Sequence, residues 1–194
     1  MTNLEQIKKI RERLGSGIVE TKKALDEAGG DEEKAIELLR KKSQLKAAKK
    51  SDREAGEGVV TAYVHPNKKL GVVVKLYCES DFVARNEEFL ELAKDIAMHI
   101  AASNPECLNP EDVSAEVVEK EKAIWEEQLK SENKPAEMIA KIMEGKEKKF
   151  REGLALMSQP FVKDPSQTVS DLVTEKIAKI GENIRVGAFH RVEL

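Results

Sequence analysis

Leu76-Tyr77-Cys78-Glu79-Ser80-Asp81-Phe82-Val83-Ala84-Arg85-Asn86-Glu87-Glu88-Phe89 is the stretch in which the chain changes its period. Leu70 to Glu79 alternates with period two, as a half-buried strand does. Phe89, Leu92, Ala93, Ile96 and Ile100 then recur at helical spacing, so the stretch is a strand-to-helix corner. Ser80 and Asp81 suit such a corner, because short side-chain oxygens satisfy the free N–H groups of a helix start. Phe82 has two outcomes open to it. A large apolar side chain directly after a capping Asp either tucks back into the core or stands out to be inserted into something, and composition alone favours the core.

Before the corner, Val59–Val64 and Leu70–Glu79 are β-rich runs around the turn cluster Pro66-Asn67-Lys68-Lys69, which predicts a hairpin. Ile184 to Val192 alternates too and is expected to pair with it as a third strand. One face of these strands carries Leu70, Val72, Val74, Leu76 and Cys78. The other is read as Val59, Tyr63, Val73, Tyr77 and Phe189, too apolar for a face that meets water.

Ahead of the sheet, Thr2 to Lys42 reads as three short helices. Thr2-Asn3-Leu4-Glu5 suggests a capping box, and Gly15-Ser16-Gly17 and Gly29-Gly30 separate the helices. Lys41 to Arg53 is basic and reads as a solvated linker helix, since no aromatic or amide base readers are interleaved with its lysines. After the corner, a helix is expected over Glu87–Ala102. An antiparallel helical pair should follow over Val113–Leu129 and Pro135–Met157, joined by the short turn 131–134, with Val117, Ile124 and Trp125 on one stripe. Gln159 to Pro165 reads as an irregular loop, and Thr168 to Ile180 as a capped helix stopped by Gly181. The fold class is α+β: residues 1–54 form a three-helix module with its basic linker, and residues 55–194 a core of small antiparallel sheet, packed helices and helical hairpin.

Composition narrows function. Lys+Arg 33 against Asp+Glu 36 leaves a net charge of −3, which gives no overall bias toward nucleic acid. No apolar run approaches the ~18 residues of a membrane span. Cys78 and Cys107 have no paired short spacing, which fits a reducing compartment, and a cytoplasmic location is expected. His65, His99 and His190 lack metal-ligand spacing, and no Gly-rich phosphate loop follows a strand. The chain is therefore expected to bind no metal or other cofactor, to have no catalytic residues, and to be no enzyme; its work should be binding.

Ser80-Asp81-Phe82-Val83-Ala84-Arg85-Asn86 resembles the Thr-Asp-Phe-Val-Ala-Lys/Arg-Asn signature of the elongation factor Ts family, with Ser80 for the usual Thr. Arg11-Glu12-Arg13 through Gly15-Ser16-Gly17, Lys22-Lys23-Ala24-Leu25, Ile96 to Ala102, Pro110 to Ser114 and Gln159-Pro160-Phe161-Val162 resemble it as well, in one order along the chain. The resemblance implies a ubiquitin-associated-like N-terminal module. It also implies a guanine-nucleotide exchange factor that binds elongation factor Tu·GDP and promotes release of GDP and Mg²⁺ during protein synthesis.

On the same ground, Ser80, Asp81, Phe82 and Val83 are the corner that reaches the GTPase and displaces Mg²⁺. Arg11, Ile18, Val19 and Lys22 are its N-terminal contacts, and His65, Val162 and Lys163 its core contacts. Longer relatives carry two sheet subdomains where this chain has room for one. Together with the apolar second sheet face, this predicts a homodimer and a 2:2 complex, with no direct nucleic-acid or membrane contact. The competing reading is a non-enzymatic adaptor that uses the three-helix module to bind a protein partner.

Overall fold

The structure, a computed structural model, describes residues 4–131 and 135–194. The expected capping box at Thr2-Asn3 and most of the turn 131–134 lie outside the described residues. Among those described, the chain is α+β, with eight α-helices and five strands. No helix among the described residues is long and apolar enough to cross a membrane. It divides into two compact units: Met1–Thr61, Val74–Asp95 and Asp171–Gly187 in the first; Ala62–Val73, Ile96–Ser170 and Ala188–Leu194 in the second.

The first unit opens with α1 (Leu4–Leu14), α2 (Ile18–Glu27) and α3 (Glu32–Ala48). Ile7, Ile10, Leu14, Ala24, Leu25, Ala35, Ile36 and Leu39 form their shared core. Gly15 (φ +63°) turns the chain between α1 and α2, and Asp31 caps α3 by accepting from the Lys34 N–H at 3.1 Å.

The basic stretch differs in part from its expectation. It is helical and largely exposed as expected, but it is no separate helix: α3 continues into it and stops at Ala48, because Leu45, Lys46, Ala47 and Ala48 are all strong helix formers. Lys42 and Lys46 pair with Glu27 and Glu20 of α2. Beyond the helix, the Lys50 ammonium donates to the Gly181 carbonyl, and Arg53 pairs with Glu79 at 3.6 Å.

The sheet consists of β1 (Glu57–Val64), β2 (Leu70–Cys78) and a strand over Arg185–Glu193, in that order with β2 central. Val72, Val74, Leu76 and Cys78 are all at most 2% exposed, so the period-two pattern of β2 reads its buried face correctly. The register of β1 corrects the other face. The His65 N–H donates to the Leu70 carbonyl at 2.9 Å, which sets these residues opposite each other. Counting back pairs Tyr63 with buried Val72, and Ala62 with exposed Val73. Tyr63 and half-buried Val59 therefore leave the open face, where Ala62, Val64 and Val73 stand instead. Tyr77 is half-buried under the Arg185 guanidinium, 4.4 Å from its ring centre.

The corner follows β2 as the one-turn helix α4 (Asp81–Ala84), and α5 (Glu87–Ser103) follows that. In the second unit, α6 (Ala115–Ser131) and α7 (Ala136–Leu154) pack as an antiparallel pair. Trp125 meets the Phe150 ring edge-on at 5.5 Å, and Lys122 pairs with Glu147 at 2.9 Å. The buried stripe of α6 is Val118, Trp125 and Leu129; Val117 and Ile124, expected on it, face outward.

The expected loop after α7 is a small hairpin, β3 (Pro160–Phe161) with β4 (Asp164–Thr168). Buried Phe161 anchors it, which supplies an order that the two prolines do not announce in sequence. The chain ends with α8 (Val169–Ile180), the turn at Gly181 (φ +95°) and the third sheet strand, β5 (Arg185–Glu193).

Gly58 stands at φ +150°, and a Cβ there would lie 2.1 Å from the Leu76 carbonyl oxygen. Gly58→Ala combines backbone strain with a clash that no flexible side chain can relieve, so it should cost about 2–4 kcal/mol. Equilibrium urea unfolding measures this; a loss under about 0.5 kcal/mol would show that the strand end accommodates a methyl group.

Candidate functional site

The corner is built by capping. Ser80 has extended backbone angles, and its Oγ accepts from the Val83 N–H at 3.3 Å, as an N-cap residue should. Asn86 does the same for α5, its Oδ1 accepting from the Glu88 N–H at 2.8 Å. Between these caps only one turn of helix fits, and its inward residue is the small, buried Ala84.

Phe82 is left 82% exposed, more than any other large apolar side chain away from the chain ends among the described residues. An exposed Phe forgoes roughly 1.5–3 kcal/mol of burial. Of its two outcomes in sequence, the structure takes the outward one. Asp81 and Arg85 flank it as an exposed ion pair at 3.2 Å, and Val83 is half-buried.

Behind the corner lies a polar clamp that sequence reasoning missed. Glu182 accepts from the N–H groups of Glu79 (3.1 Å) and Ser80 (3.0 Å) through Oε2, and from the Ser80 hydroxyl (2.6 Å) through Oε1. Glu79 returns the contact, accepting from the Asn183 N–H at 2.6 Å. Burial pushes the Cys78 thiol up to about 11, with Glu182, Glu57 and Glu79 adding to it, so the thiol stays neutral and donates to the Ser80 carbonyl. The sequence signal was Gly181-Glu182-Asn183, a helix stop followed by two hydrogen-bonding residues.

The other expected contact residues lie on three further turns of the chain. Ile18 and Val19, 57% and 66% exposed, open α2, with Lys22 one turn on. Arg11 is exposed on α1, and its Nε donates to the Ser16 carbonyl at 3.3 Å. His65 is exposed on the β1–β2 turn, its Nδ1 3.1 Å from the Tyr63 hydroxyl. Val162 and Lys163 form the exposed tip of the β3–β4 hairpin.

Beneath that tip, His99 is fully buried, as the apolar side of its helix suggests. The Gln159 amide donates to the Gly153 carbonyl at 2.7 Å, which leaves its oxygen to accept from His99 Nε2 at 3.0 Å. His99 Nδ1 is then the acceptor for the Val162 N–H at 3.2 Å. The ring is therefore the neutral Nε2–H tautomer, and desolvation holds its pKa below the ordinary histidine value.

Among the described residues no group of three or more His, Cys, Asp or Glu could hold a metal ion. What the geometry offers is an α+β scaffold with apolar side chains raised on short, well-capped turns. The family described as Elongation factor TS matches residues 6–189. Elongation factor Ts of Thermodesulfovibrio yellowstonii is 53% identical over 190 residues, 98% of this chain and 94% of that protein. The Thermosipho melanesiensis protein of the same name is 55% identical over 189 residues, covering 97% and 96%. That of Carboxydothermus hydrogenoformans is 52% identical over 194 residues, covering 100% and 89%. Such agreement along nearly the whole length defines a translation elongation factor by class. The chain belongs to the elongation factor Ts family.

The His99 arrangement has a pH consequence. Its pKa is lower folded than unfolded, so the folded state binds fewer protons between the two values. The stability it contributes is complete above the unfolded value of about 6.5 and declines as the pH falls from there toward the folded value, by at most about 1.4 kcal/mol per pH unit. Urea midpoints between pH 7.5 and 5.5 should fall more steeply for the wild type than for His99→Gln. Parallel profiles would mean that His99 titrates alike in both states.

Proposed function

We propose that this protein is a guanine-nucleotide exchange factor that binds elongation factor Tu·GDP in the cytoplasm and promotes release of GDP and Mg²⁺. It makes and breaks no covalent bond. The observation that carries this reading is Phe82, raised 82% exposed on a corner whose backbone is capped at both ends. Membership of the family supports it.

Exchange follows from linkage. The factor and GDP bind one GTPase, and whatever weakening one imposes on the other is returned in equal measure. Phe82, flanked by Ser80, Asp81 and Val83, enters an apolar slot in the partner and shifts the elements that hold Mg²⁺ and the phosphates. Burying one Phe yields roughly 1.5–3 kcal/mol, about one to two decades of coupling. The remainder comes from distributed contacts: Arg11, Ile18, Val19 and Lys22 in the module of residues 1–54, and His65, Val162 and Lys163 in the core of residues 55–194. That core also pairs with a second copy, giving a 2:2 complex. Val64 and Val73, 63% and 45% exposed on the open sheet face, are its apolar contact.

Stopped-flow release of labelled GDP from elongation factor Tu tests the main step. Phe82→Ala should slow factor-stimulated release at least tenfold, with unfolding free energy unchanged within roughly 0.5 kcal/mol, since so exposed a side chain contributes little burial. Wild-type release rates from this variant would remove Phe82 from the mechanism.

The dimer is tested by light scattering at micromolar concentration, where roughly twice the 21.7 kDa chain mass is expected. Val64→Lys with Val73→Lys should halve that mass. A wild-type monomer at tens of micromolar would overturn the pairing.

A further inference from the structure

The period-two ladder of β2 ends at Cys78, and the next two residues turn away from it. Both residues are half-buried, and their N–H groups need acceptors other than a neighbouring strand. Both converge on one oxygen, Oε2 of Glu182 (3.1 and 3.0 Å), a residue more than a hundred positions later in the chain. The second carboxylate oxygen, 2.6 Å from Ser80 Oγ, decides how that hydroxyl is used. An ionised carboxylate can only accept, so the single hydroxyl proton points at Glu182 and the Oγ lone pairs are left for the Val83 N–H. The direction of the α4 cap is thus set from Glu182 through Ser80.

Glu182 is itself held in place. The Gly181 turn at φ +95° brings it off the end of α8, and the Lys50 ammonium binds the Gly181 carbonyl. Asn183 Nδ2 donates to the carbonyls of Ser51 (3.3 Å) and Arg53 (2.8 Å), while its N–H donates to Glu79. The two segments therefore grip each other through bonds in both directions, and a charged acceptor serving three donors makes the stronger kind.

We propose that Glu182 is a positioning residue for nucleotide exchange: it touches no partner, and it sets the angle at which the one-turn helix presents Phe82. This rests on the reading of Phe82 given above. The side chain acts through the Ser80 cap, so its removal lets the corner sample orientations in which Phe82 misses its slot.

The test uses the full chain with Glu182→Ala, Glu182→Gln and Phe82→Ala, alone and combined, in two measurements. The first is amide hydrogen exchange. In Glu182→Ala the amides of Glu79, Ser80 and Val83 should lose at least tenfold protection relative to those of Val72 and Val74. Unchanged relative protection would overturn the clamp, whatever the exchange activity.

The second measurement is stimulated GDP release at saturating factor. Glu182→Ala should slow it five- to tenfold, never beyond Phe82→Ala, and should have no further effect in the Phe82→Ala background. Glu182→Gln keeps one carbonyl oxygen for the two amides and should fall between wild type and Glu182→Ala. A purely structural role would lower the melting temperature and leave saturated release at the wild-type rate, or slow it equally in both backgrounds; either result overturns the proposal. If Phe82→Ala itself releases GDP at the wild-type rate, the functional reading fails and the amide measurement still decides the clamp. Should Glu182→Ala fail to fold, the same comparisons are made with Glu182→Gln, where wild-type protection together with wild-type release overturns the proposal.

Discussion

A strand buried on one face can leave its sheet only where its freed backbone donors find new acceptors. Here that need falls at Glu79 and Ser80, and one carboxylate meets it. Much of the first unit follows from that constraint. The strand turns outward at a defined residue, Ser80 is committed as a cap, and one turn of helix ends with Ala84 inward and Phe82 outward. Because Asn183 also binds the backbone of Ser51 and Arg53, the chain between α3 and β1 is fixed by the same turn.

The hairpin tip at Val162 rests on a comparable device built from an uncharged group. The corner uses an ionised acceptor in a half-buried setting. The tip uses a neutral imidazole in a fully buried one, with its tautomer dictated by an amide that has already spent its donor on Gly153. Both place an exposed apolar side chain on a short turn, and both fix backbone donors with side chains distant in sequence. Turns of this kind carry little core of their own, so hydrogen bonds to the main chain decide their shape.

The parts legible in the sequence were those governed by period. The switch from alternation to helical spacing located the corner, and Val72, Val74, Leu76 and Cys78 are buried as their alternation requires. The three short N-terminal helices are found as expected, and they share one core. What escaped depended on register or on distant partners. A shift of one residue in β1 exchanges its faces, and the turn Pro66–Lys69 does not reveal which residue opposes which. Val117 and Ile124 were assigned to the stripe that Val118 and Leu129 occupy, an error of one position around a helix whose faces are both partly apolar. The ion pairs of the basic run were hidden because its acidic partners, Glu20 and Glu27, lie on another helix. For Phe82 composition favoured the core, and the structure turns it outward: its exposure follows from the caps on either side, and the clamp behind it joins segments a hundred residues apart.

Trp125 is the only tryptophan in the sequence. It is 9% exposed, with the Phe150 ring edge-on at 5.5 Å and the Lys146 ammonium 5.7 Å from its ring centre. The protein thereby carries a built-in optical probe confined to the α6–α7 pair. Ultraviolet emission excited at the indole band reports the packing of that helical hairpin and, through the nearby ammonium, its local field. Any partner that grips the hairpin announces itself in the unlabelled protein by a change of colour or intensity.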